Sequence, residues 1–175
     1  MNCFTHLLGG AALTTAACIT APQYFGTIGP VTLMAGLVGS LIPDIDHPKS
    51  TISNMTLLSK AISKTVTSAT KHRGVCHSIA FIIAVHFLLT RFVVGNISFF
   101  TAERARCLAA GMMSHILLDM LNPAGVSLFW PFGKKRIKLM YIKTGTFGEY
   151  AVAFILVAAE IAMLVTAFLL SPATI

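Results

Sequence analysis

Five apolar runs, separated by polar segments, set the pattern of this chain: residues Leu7 to Ala21, Ile28 to Ile42, His77 to Gly95, Arg104 to Leu121 and Glu149 to Leu170. Within each, apolar residues continue too long and too evenly for strands, so each reads as a helix. A membrane-spanning helix needs about 20 residues, with a range of about 17 to 25. The third, fourth and fifth runs meet that length. The first two are shorter and rich in Gly, Ala and Thr, which suits close helix packing inside a bundle. Pro22, Gly26, Gly29 and Pro30 mark the turn between them. A four-span arrangement, in which the first two runs form a re-entrant hairpin, is the competing count. Residues Ile52 to Thr70 mix apolar positions with lysines and hydroxyls, and read either as a helix along the membrane surface or as a solvated loop.

Composition sharpens the picture. The 175 residues are 55% hydrophobic and 11% charged, with a mean hydropathy of +0.80. Soluble domains carry about 25% charged residues. The expected fold is therefore an all-α integral membrane bundle, with residues 1–175 forming one domain. No Lys or Arg precedes the first apolar run, so a cleaved signal peptide is not expected. Cys3, Cys18, Cys76 and Cys107 are scattered without CxxC spacing and read as free thiols, mostly buried.

The net charge of +7 is distributed as topology requires, beside apolar runs, and nucleic-acid binding is not expected. Lys49, Lys60, Lys64, Lys71 and Arg73 lie between the second and third runs. Lys134, Lys135, Arg136, Lys138 and Lys143 lie between the fourth and fifth. Five alternating spans put both segments on one side, which the positive-inside rule makes cytoplasmic. Phe129, Trp130 and Phe132 beside Lys134, Lys135 and Arg136 resemble an interface anchor next to a basic patch. That patch serves either anionic-lipid contact or attraction of a phosphate-bearing substrate.

The same topology gathers the polar residues. His6, Asp44, Asp46, His47, His72, Arg73, His77, His115, Asp119 and Glu149 all fall at the cytoplasmic end of their runs. Four of the six acidic residues and five of the six histidines belong to this group. Ionisable groups in membrane helices cost about 2.5–3.5 kcal/mol at mid-helix, so such a concentration calls for a function. In Pro43-Asp44-Ile45-Asp46-His47-Pro48, flanking prolines stiffen a segment bearing two carboxylates and an imidazole. His115 and Asp119, four apart, share a helix face. In His72-Arg73-Gly74-Val75-Cys76-His77, an arginine suited to phosphate lies between two imidazoles. His86 points away from His77 and is expected to make an interhelical hydrogen bond. Glu160 lies on nearly the same face as Glu149 but deeper, as a candidate supporting or proton-path group.

These motifs, with His-Ile-Leu-Leu-Asp at 115–119, Asn-Pro-Ala-Gly-Val at 122–126 and Thr-Gly-Thr-Phe-Gly-Glu at 144–149, resemble the YdjM-like inner-membrane metal-dependent hydrolases over nearly the whole chain. The resemblance implies a bacterial inner-membrane protein linked to the LexA damage response. A more distant likeness joins it to zinc-dependent phospholipase C and P1-type nucleases. That likeness implies His6, Asp44 or Asp46, His72, His77, His115, Asp119 and Glu149 as ligands, with Asp119 bridging two ions. The late His-xxx-Glu pair of those enzymes is missing, which argues against a third ion.

The expected chemistry is hydrolysis of a lipid or lipid-linked phosphate at a two-ion centre, zinc or else manganese. Arg73 is expected to hold phosphate, with Lys134, Lys135 and Arg136 assisting. Whichever of Asp44 and Asp46 is not a ligand would act as base. Amide or carboxylic-ester hydrolysis, a divalent-cation or proton-coupled transporter and a non-catalytic module with structural metal are the alternatives.

Overall fold

A computed structural model of the chain describes residues 1–69, 74–133 and 135–170. It is all-helical, in the order α1 (Cys3–Thr20), α2 (Pro22–Phe25), α3 (Pro30–Gly39), α4 (Leu57–Ala69), α5 (Ile79–Phe92), α6 (Ala102–Met120) and α7 (Phe147–Leu170). Short 3-10 turns at Ile42–Asp46, Ile52–Asn54 and Val75–His77 join them. The helix starts follow local chemistry. The Asn2 side chain caps α1 by accepting from Thr5 N–H, Pro30 opens α3, and Ser78 caps α5 by accepting from Phe81 N–H.

The expected spans change in part. The third apolar run yields 14 helical residues, because Ser78 starts the helix late and the chain turns after Phe92, with Gly95 at φ +87°. At 1.5 Å per residue α5 is about 21 Å long, short of a bilayer core of about 30 Å. Helix α3, with 10 residues, is shorter still. Among the described residues two helices are long and apolar enough to cross a membrane, Cys3–Thr20, from a run expected to be short, and Phe147–Leu169; α6, from the fourth run, is not among them. Helix α7 turns Phe154, Ile155, Ile161, Phe168 and Leu169 outward, as a lipid-facing helix does. The segment after Ile52 forms the helix α4, with Lys60 and Lys64 exposed.

Helix α6 is the centre. It packs against α1, α3 and α5, and its buried Leu108, Met112, Ile116 and Met120 form the apolar core with Ile82 and Val126. On its other side small residues let backbones touch. A Cβ on Gly111 would fall onto the Gly36 carbonyl, and one on Gly36 onto Thr14 Oγ1. The chain beyond α6 folds back beneath it through Val126 and Ile137, which exchange hydrogen bonds of 3.0 and 2.9 Å.

The Gly111→Ala variant is expected to lose stability by about 1–3 kcal/mol, because α3 and α6 must move apart. Thermal unfolding of the detergent-purified protein measures this.

Candidate metal centre

Helices α1, α5 and α7 begin at one end of the molecule, and α3 and α6 finish there. This brings His6 on α1, Asp44 and Asp46 after α3, His77 before α5, and His115 and Asp119 near the end of α6 into one cluster. All but Asp44 are buried.

Each separation within the cluster is informative. His115 Nε2 lies 3.3 Å from His77 Nε2, 3.6 Å from Asp44 Oδ1 and 3.9 Å from Asp119 Oδ2. His77 Nε2 lies 3.5 Å from Asp119 Oδ2 and 3.8 Å from Asp44 Oδ1. These are long for hydrogen bonds. Three of the five fall in the roughly 3.3–3.6 Å range between donors about 2.0–2.2 Å from zinc in a tetrahedral shell, and two lie just beyond it. The nitrogen and oxygen donors suit zinc, and manganese where oxygens dominate. The donor set therefore fits a divalent ion.

The imidazoles are also aimed. His115 Nδ1–H donates to the Ser40 carbonyl at 2.6 Å, which leaves Nε2 as the lone-pair nitrogen facing the cluster. His6 stacks on His115 with ring centroids 3.7 Å apart and places Nε2 3.5 Å from Asp119 Oδ1. Asp46 Oδ2 lies 3.6 Å from His77 Nδ1, behind the ring relative to the other donors, where a carboxylate orients an imidazole. Asp119 thus offers Oδ2 to His77 and His115, and Oδ1 to His6. The Met1 ammonium is also 2.8 Å from Oδ1.

Burial works against a charge on His77. The Asp119 and Asp46 carboxylates more than reverse this and hold its imidazole up at about 9. A proton thus balances the carboxylates in the metal-free protein. Burial also pushes the neighbouring Cys76 thiol up to about 12, with Asp46 adding to it, so that thiol is inert. All four cysteines are free, and Cys18, Cys76 and Cys107 are buried.

The remaining residues singled out by sequence lie elsewhere. Glu149 is fully buried, but its carboxylate accepts from Asn2 N–H at 2.5 Å, Gly145 N–H at 2.6 Å and the Thr5 hydroxyl at 3.3 Å. Gly145, at φ +77°, turns its N–H onto that carboxylate, which explains a glycine there. Glu149 therefore ties the start of α7 to the start of α1. His47 is half-buried and lines a cavity beside Asp44. Lys135 and Arg136 line a different cavity with Phe129 and Lys138. His72, Arg73 and Lys134 lie outside the described residues. His86 Nδ1 is buried with no hydrogen-bond partner among the described residues, so the interhelical bond expected there is not made through that atom. Sequence reasoning missed the Ser40 carbonyl, since a main-chain acceptor leaves no signal in residue type.

Comparison with known proteins places this architecture. The family described as YdjM inner membrane protein matches residues 1–175. The chain is 36% identical over 151 residues to the uncharacterized protein YvsG of Bacillus subtilis, covering 85% of this chain and 84% of that protein. It is 42% identical over 99 residues to the inner membrane protein YdjM of Escherichia coli, covering 55% of this chain and 47% of that protein. No solved structure matches. The chain belongs to the YdjM family of inner membrane proteins.

Asp46→Asn is expected to weaken zinc binding about 10–100-fold without abolishing it, as loss of a carboxylate behind a ligand imidazole does. Competition with a chromophoric chelator reads the affinity. Zinc binding to His77 Nε2 must displace the proton that its raised pKa keeps at neutral pH. Apparent affinity is therefore expected to rise about tenfold per pH unit from pH 7 and to level off near 9. The stability that this proton gives the metal-free protein has the opposite trend. It is fully present below about 6.5 and lost as pH rises through about 9.

Proposed function

We propose that this member of the YdjM family is a membrane-bound metal-dependent hydrolase, a phosphoesterase acting on a lipid or lipid-linked phosphate. One observation carries the reading. Donors from three chain segments come together: the His77 and His115 imidazoles lie 3.3 Å apart, and each lies 3.5 to 3.9 Å from Asp44 and from Asp119. Asp119 also faces His6 through its second oxygen, so His6 and Asp119 would be the residues available to hold a second ion.

When bound, the ions supply Lewis acidity toward water and toward phosphoryl oxygens. The protein's own groups do the rest. The Ser40 carbonyl fixes the tautomer and ring direction of His115, and the Asp46 carboxylate stands on the Nδ1 side of His77. Asp44, with its side chain 26% exposed, is the cluster carboxylate open to solvent among the described residues. With His77, His115 and Asp119 as the group that would hold an ion, Asp44 at their edge is the non-ligand carboxylate, placed to take the proton of an attacking water as general base. Arg73 is assigned to a non-bridging phosphate oxygen, and Lys134, Lys135 and Arg136 to anionic lipid. The five helices α1, α3, α5, α6 and α7 form a multi-pass bundle with the cluster at the cytoplasmic face.

A second reading, a cation or proton-coupled transporter, draws on Glu160. This residue accepts from Thr15 at 2.8 Å and keeps a buried Oε2 with no partner among the described residues. A transport path needs ligands near mid-membrane, whereas the donor cluster stands at one end.

Purified wild type is expected to carry about two divalent ions per chain and to cleave phosphoesters. His115→Ala and Asp119→Ala are expected to lose both metal and activity. Negligible metal in wild type after reconstitution with zinc and with manganese would overturn the mechanism. Full metal without cleavage of phosphoester or acyl substrates would favour the transporter or a structural role.

A further inference from the structure

The buried cluster has an open side at Asp44, and a cavity of about 190 Å³ lies there. Its wall includes Cys3 from the start of α1, with Asp44, His47, Lys49, Thr51 and Ile52 from the segment after α3. That segment is firmly built. Ser50 Oγ donates to the Asp44 carbonyl at 2.8 Å, and the buried Ser53 hydroxyl lies 2.7 Å from Ser50 Oγ. Asn54 Nδ2 donates to the carbonyls of Pro48 and Ser50 at 2.9 Å each. Side-chain bonds to the main chain of this kind hold a loop in one conformation.

From this geometry we infer that the cavity is the subsite for the phosphate head group of a membrane lipid, with Lys49 as its anion-binding residue. The inference rests on the hydrolase reading and adds to it a substrate part and a residue. Size supports it: pockets for drug-sized ligands run about 300–1,000 Å³, so this one admits a head group and excludes acyl chains. Charge supports it as well, because Lys49 supplies an ammonium on the wall opposite in sign to Asp44. The surroundings identify the source as lipid. Phe4, next to Cys3, is 63% exposed, and Met55 and Leu57, just beyond Ile52, are 66% and 89% exposed. Large exposed apolar side chains on the same segments that supply the cavity wall give a lipid's chains a surface to lie on when its head group enters.

Cys3 provides a reporter that does not depend on turnover, since it is the cysteine not buried. The experiment uses the full chain, zinc-loaded in detergent, and measures the rate at which a small maleimide labels Cys3. Cys3→Ser gives the background. Glycerol 3-phosphate and a short-chain phosphatidylglycerol are each expected to slow labelling several-fold. In Lys49→Ala the concentration for half-protection should rise at least about tenfold, with metal content unchanged, and Lys49→Arg should restore it. Labelling indifferent to both probes, or protection undiminished in Lys49→Ala, overturns the subsite. Protection by glycerol 3-phosphate but not by phosphatidylglycerol overturns the lipid assignment. Lys49-dependent protection without hydrolysis of either compound removes the hydrolase reading and leaves the subsite. Hydrolysis unaffected by Lys49→Ala does the reverse.

Discussion

The carbonyl of Ser40 reaches His115 because the backbones of α3 and α6 touch. Gly36 and Gly111 leave no room for a Cβ between them, and the close approach carries the end of α3 against the last turns of α6. There the 2.6 Å bond to His115 Nδ1 sets which ring nitrogen keeps a lone pair. It also brings Asp44 and Asp46, a few residues on, to the face that His115 and Asp119 present. Packing of small residues thus becomes a chemical property: the direction and protonation of a ligand.

Charge imposes the second constraint. Asp46 and Asp119 are buried beside the imidazole of His77, and Asp119 also beside that of His6. Isolated buried carboxylates are strongly disfavoured, so positive charge must be held beside them. His77 supplies one share as a proton, and the Met1 ammonium stands 2.8 Å from Asp119. A divalent ion held there would supply a larger positive charge in place of that proton.

Much of the helix plan was legible from the apolar runs, because α1, α3, α5, α6 and α7 lie within a few residues of them. The error lay in length. Caps and turns at Ser78 and Gly95 shorten α5, and hydropathy alone does not weigh such signals. Helix α2 was read as a turn, since its single helical turn has no period to detect. At the site, helix-end placement predicted the convergence of His6, Asp44, Asp46, His77, His115 and Asp119. It did not separate these from Glu149, whose oxygens are taken by main-chain N–H groups. Nor did it separate His47, which lies on a cavity wall. Residue type and topology place a side chain near a site, while its partners depend on loop geometry such as the positive φ of Gly145.

Glu149 and Glu160 show how a carboxylate in this fold can serve position rather than chemistry. Glu149 meets Thr5, and Glu160 meets Thr15. The two intervals, eleven and ten residues, rise about 16 and 15 Å. Helices α1 and α7 therefore run parallel and in register, joined by a polar contact at each level. In lipid such contacts are a main source of helix association, because apolar side chains gain little by leaving one another for acyl chains. The apolar outer face of α7 cannot fix its rotation, whereas two carboxylates on one face can. Fixing α7 fixes α1, and α1 carries His6 onto the His115 ring. On this account Glu160 belongs to the scaffold of the centre, and its depth reflects where a clamp between two helices is needed.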